Sequence, residues 1–167
     1  MTMIILRLIH IGTGVFWAGS AFFVVSYLDP AIRRSGNEGD RVLLTFLESR
    51  YLTAMPIIAL LSIITGIAIF ARSAAMAPTY PQSRTGITLS IGALAAVLAF
   101  VVGVAVMRRA AIRVRTMALA ARVSGTPLST EQRAEMSALR SRVATSGRAV
   151  ATLLGIAVIS MAIARYV

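Results

Sequence analysis

Gly86–Met107 reads GITLSIGALAAVLAFVVGVAVM, an unbroken run without one charged side chain. A membrane-spanning helix needs about 20 mostly apolar residues, because each residue advances about 1.5 Å and the hydrocarbon layer is about 30 Å thick. The run meets that length. It passes directly into RRAAIRVRTMALAARV (Arg108–Val123), where arginine recurs but no Gly or Pro interrupts a helix. The stretch predicts a helix that crosses a bilayer and then projects from it.

Outward from this segment, three further stretches qualify as spans. Gly125-Thr126-Pro127 marks a turn, and Ser129 with Gln132 fits a capping box for a returning helix. That helix leads into a span at about residues 143–164. Before the quoted run lie candidate spans at about 3–28 and 52–71. Asp29-Pro30 is expected to stop the first, and Pro56 to kink the second near its start. The expected fold is therefore all-α. It is an integral membrane four-helix bundle forming a single domain over 1–167. Its long third and fourth helices continue as a helical hairpin over about 108–142. Each arm projects about 20–25 Å at the helical rise. Ile112, Leu119, Met136, Leu139 and Val143 are expected to form the seam of the hairpin.

Composition supports lipid as the solvent. Hydrophobic residues make up 57%, charged residues 14%, and the mean hydropathy is +0.81. A soluble domain has roughly 45–50% apolar and about 25% charged residues. Arg7 followed by an apolar run resembles the start of a signal peptide. The run continues through Phe22-Phe23-Val24-Val25 past the small residues Ala18–Ala21, so a retained helix is expected. Between the first two spans, Ser35–Asp40 is a turn cluster with Asp40 as an expected N-cap. Val42, Leu43, Phe46 and Leu47 then form an amphipathic face expected at headgroup level. Cysteine is absent, which excludes thiolate, disulfide and iron–sulfur chemistry.

The net charge of +11 comes from 17 arginines and no lysine. An all-arginine basic set beside abundant alanine fits a GC-rich bacterial genome. Thirteen of the arginines fall in or beside the first and third connections, and four (Arg7, Arg72, Arg84, Arg165) fall on the opposite side. The positive-inside rule then places both termini in the periplasm and the hairpin in the cytoplasm of a bacterial inner membrane. Anionic lipid headgroups are the expected partners of the cluster. Nucleic acid is not, because the arginines are not interleaved with aromatics as a base-stacking surface would be. Tyr27, Tyr51, Tyr80 and Tyr166 all fall at expected span ends, as an interfacial aromatic belt does.

Chemistry has few candidates. An ionisable group inside a membrane is costly and marks function when present. No Asp, Glu, Lys or Arg lies deep in a span. His10 is the single histidine, and helical spacing puts it on one face with Gly14, Trp17 and Ala21. An imidazole with a glycine one turn away leaves room for a flat macrocycle, so haem or chlorin ligation is chemically open. A neutral imidazole hydrogen-bonded to a neighbouring helix is the plainer expectation. Small residues recur as stripes: Gly147/Ala151/Gly155, Ala95/Ala99/Gly103, Ser62/Gly66, and Gly12 with Gly19. Such stripes let helices approach closely, within this chain or against another.

The segment Ile9-His10-Ile11-Gly12-Thr13-Gly14-Val15-Phe16-Trp17-Ala18-Gly19 resembles the opening helix of CopD-like and related bacterial membrane proteins, which pair an early His with a Trp-x-Gly. The resemblance covers roughly the first 30 residues. It implies copper handling in the copper-resistance members. In the related protoporphyrinogen-oxidase members it implies haem, bound with a first-helix His and a later intramembrane Lys. His10 alone carries over, since no lysine and no second histidine is present. The expected function is a non-enzymatic accessory subunit of a larger respiratory or photosynthetic membrane complex. It would dock through small-residue helix faces and the basic hairpin. The alternative is a haem-, chlorin- or copper-binding membrane protein that uses His10, Gly14 and Trp17.

Overall fold

A computed structural model describes residues 1–167. It is all-helical and has five helices: α1 (Thr2–Arg34), α2 (Gly36–Glu48), α3 (Tyr51–Met76), α4 (Arg84–Ser124) and α5 (Thr130–Tyr166). All except α2 are long and apolar enough to cross a membrane.

Two of the long helices each contain one π turn, Val24–Leu28 in α1 and Gly103–Arg108 in α4. The first explains why Asp29-Pro30 does not stop α1, contrary to expectation. Proline lacks the N–H that an α-helix would direct at the Ser26 carbonyl. The π turn, with bonds spanning five residues, re-spaces the ladder just ahead of the proline. Helix then continues from Asp29 to Arg34. The break comes at Ser35–Gly36, where Gly36 takes a φ of +53°. Helix resumes at Gly36, so Asp40 lies inside α2 and is not its N-cap. The Asp40 carboxylate instead accepts a hydrogen bond from Arg140 of α5 at 2.6 Å.

The long helices run alternately up and down. His10 of α1 lies against Ser62 and Gly66 of α3, and Thr85 at the start of α4 donates to the carbonyl of Val167 at 3.2 Å. These contacts define one end of the molecule. At the other end Arg108 reaches Leu52. α1 packs most closely on α3, and α4 on α5, with sparser contact between the two pairs.

Small side chains set this closeness. The main core consists of Trp17, Ala18, Ala59, Ala95, Ala96, Ala99, Val150, Leu154 and Ala157. A Cβ on Gly92 would stand 3.0 Å from Ser160 Cβ and 3.2 Å from the Ala157 carbonyl, so α4 and α5 meet nearly backbone to backbone. Gly147 and Gly155 face Val25 and Phe22 of α1. The alanine and glycine stripes of α4 and α5 are thus consumed inside the molecule.

A second cluster lies at the far end: Leu47 of α2, Leu52 of α3, Ala111 and Val114 of α4, and Met136 of α5. Three residues of the apolar face of α2, Leu43, Phe46 and Leu47, are therefore covered by helices of the chain itself, while Val42 stays exposed. Ile112, Leu139 and Val143 join the cluster as expected, but Leu119 does not. Its neighbours Met117 and Ala118 pack against the cluster instead, one helix face over. Farther out, Gly125 turns the chain with φ +64°, and the Ser129–Gln132 capping box forms with bonds of 2.9 and 3.2 Å.

Candidate functional site

The side chain with most chemical range, His10, is placed by α1 on the face turned toward α3. Its Nδ1 lies 2.8 Å from the carbonyl oxygen of Ser62. A carbonyl cannot donate, so Nδ1 is the donor in this contact. Gly66 makes the fit possible, because a Cβ there would come within 2.8 Å of His10 Cε1. Thr65 Oγ1 also donates to the Ser62 carbonyl at 3.1 Å, which leaves that oxygen well satisfied. Nε2 forms no hydrogen bond, and it is not sealed in the core: the one fully buried side-chain polar atom without a partner is Arg140 Nε.

The four residues picked from α1 share this inward side. Trp17 is buried in the main core, with Ala21 packed against that core. Gly14 faces α3, where a Cβ would stand 3.2 Å from Ser62 Oγ. The room that glycine leaves is taken by Ser62 rather than held open for a flat ring. Nor do the donors of this chain complete a copper site. No group of three His, Cys, Asp or Glu side chains converges anywhere, and His10 is the single imidazole. What the chain does present is one imidazole whose Nδ1 is anchored on a carbonyl, an arrangement that metal-binding histidines commonly have.

A second polar joint lies at the opposite end of α3. Pro56 has no N–H, so the Leu52 carbonyl lacks its usual i+4 donor. Arg108 Nε donates to that carbonyl at 2.9 Å. The π turn Gly103–Arg108 makes this reach possible, since bonding over five residues brings residue 108 onto the same face as Gly103. Both residues line a small cavity with Trp17, Met55, Pro56 and Phe100. At about 50 Å³ it holds a water molecule or two and no substrate, since ligand pockets run to about 300–1,000 Å³. Reading the sequence missed this joint. The usable signal was Pro56, which leaves a carbonyl one turn earlier in need of a donor.

The other face of α1 touches nothing. Ile5, Leu8, Val15, Phe16 and Phe23 are all more than half exposed, and a Cβ on Gly12 or Gly19 would find no atom within 4 Å. Of the stripes named from the sequence, this is the one that does not serve packing within the chain. Compared with family models, with curated proteins and with solved structures, the chain matches none.

Proposed function

We propose that this chain is a non-enzymatic accessory subunit of a larger bacterial membrane complex, respiratory or photosynthetic in type. In this reading the four long helices form a bundle in the inner membrane, with both termini in the periplasm. The basic hairpin of α4 and α5, buttressed by α2, stands in the cytoplasm. The carrying observation is the open Gly12/Gly19 face of α1. Glycines on an apolar helix surface weaken the helix slightly and serve close approach by a second backbone. Here no helix of the same chain approaches them. The occupant is an apolar transmembrane helix of another subunit.

Extraction in mild detergent followed by native mass spectrometry tests this. The wild-type chain is expected to leave the membrane with a second polypeptide. Gly12→Leu with Gly19→Leu is expected to leave alone while keeping its helical content, because neither glycine touches the rest of the fold. Recovery of the wild type as a bare monomer contradicts the reading.

His10 supports a second reading, in which Nε2 would ligate haem, a chlorin or copper beside α1 and α3, on the side of α1 away from the Gly12/Gly19 face. What favours it is the Nδ1 contact to the Ser62 carbonyl, which orients the ring, together with an Nε2 that forms no hydrogen bond. The complex would then carry visible absorption or bound copper that His10→Ala removes. A colourless, metal-free complex ends this reading and leaves the first intact.

A further inference from the structure

We propose that Arg109 and Arg142 form a binding site for the phosphodiester of an anionic phospholipid. The two arginines, both exposed, line an open surface recess with Ala105, Val106, Ala110 and Leu139. The sequence fixes its depth. Ala105 and Val106 belong to the last turn of the uncharged run ending at Met107, and on α5 Arg142 precedes Arg148, the last charge before the uncharged run that starts at Ala149. The recess thus lies at the edge of the apolar run on α4 and just outside it on α5. That is the level at which a lipid phosphate meets its acyl chains.

Charge points the same way. One turn farther out on α4 and two turns farther out on α5, Arg113 donates to Glu135 at 3.2 Å. Arg109 lies four residues before Arg113, and Arg142 lies seven after Glu135, so both repeat on the same helix faces. The outer rung is neutralised and the inner rung is doubly positive. The ion pairs of the molecule are Arg33–Asp29, Arg113–Glu135 and Arg140–Asp40. Neither Arg109 nor Arg142 enters one, and no acidic side chain lines the recess. Two guanidinium groups sharing one recess repel each other until an anion bridges them. Phosphate oxygens match the forked N–H geometry of arginine. The apolar walls suit the glycerol and first acyl carbons, which a soluble acidic peptide lacks. The site is remote from the Gly12/Gly19 face and does not depend on what covers it.

Native mass spectrometry of the purified protein, given phosphatidylglycerol and phosphatidylcholine at equal mole fraction, tests the site. Wild-type protein is expected to retain phosphatidylglycerol over phosphatidylcholine by roughly thirtyfold, about fivefold for each arginine at an anionic lipid surface. Arg109→Gln with Arg142→Gln is expected to bring retention down to the phosphatidylcholine level. Arg122→Gln with Arg133→Gln, near the tip of the arms, is expected to leave it unchanged. Millimolar glycerol phosphate is expected not to displace the lipid. Three results overturn the proposal: equal retention of the two lipids by the wild type, undiminished phosphatidylglycerol on the 109/142 variant, or displacement by glycerol phosphate, which would make the ligand a free phosphate. The first needs no variant to fold.

Discussion

α1 and α5 are nearly equal in oiliness and opposite in company. The most apolar window of α1 has a mean hydropathy of 1.7 and is 11% buried; that of α5 has 1.9 and is 39% buried. Hydropathy reports that a segment prefers lipid or protein interior to water, and it does not distinguish those two. Register does. On α5, Gly147, Val150, Ala151, Leu154, Ala157 and Ser160 form one stripe that is sealed against α4 and α1. On α1 the glycines are divided between two faces. Gly14 sits with His10 and Trp17 toward α3, while Gly12 and Gly19 look away. A glycine that admits a neighbour and a glycine with open space beside it are identical in sequence.

The largest effect that sharpens this contrast belongs to the α4–α5 contact. A Cβ on Gly92 would already stand 3.0 Å from Ser160 Cβ, and Gly92→Leu would force a side chain where backbones nearly touch. Overpacking of this kind costs about 1–3 kcal/mol. Gly12→Leu on the open face is expected to change the stability of the isolated chain by about 0.5 kcal/mol at most. Unfolding of both variants in the same detergent checks the pair. Equal destabilisation would erase the distinction between the two helices.

A smaller effect is expected at the proline–arginine joint. Arg108→Ala removes a hydrogen bond from a charged, half-buried donor, worth about 1.5 kcal/mol. In a Pro56→Ala background the loss should shrink, because the restored N–H at residue 56 serves the Leu52 carbonyl. A double-mutant cycle reads the coupling directly. Additive losses would mean that Arg108 does not act by filling the place left by the proline.

The smallest effect is expected at His10. Polar contacts between membrane helices average about 0.6 kcal/mol, and the Ser62 carbonyl keeps its bond from Thr65 when the imidazole is removed. His10→Ala should therefore leave the fold intact, so any loss of colour or copper in that variant reports ligation rather than unfolding.

Much of the architecture is legible in the sequence because it rests on local rules. Uncharged runs of span length, the glycine at 125 and the capping box at Ser129–Gln132 each name their own structure. What escapes is whatever depends on two segments at once. The π turn before Pro30 keeps α1 helical where proline alone suggests an end. Asp40, with the composition of an N-cap, is drawn to Arg140, one hundred residues away in sequence. Of the α2 face that reads as suited to headgroups, Leu43, Phe46 and Leu47 pack with Val114, Met136 and their neighbours, and only Val42 stays exposed. At the candidate site, the grouping of His10, Gly14, Trp17 and Ala21 on one face follows from helical spacing. That Ser62 would occupy the gap beside Gly14, and that Gly66 would shape itself to the ring, needed the register of α3 against α1, which no single-helix pattern encodes.

The account turns on whether a second protein covers the outer face of α1. A photo-reactive amino acid placed at Gly12, and separately at Val158 on the exposed side of α5, measures this in the native membrane. The expected result is a discrete adduct with another polypeptide from position 12 and lipid adducts alone from position 158. Lipid adducts alone from both positions would contradict it.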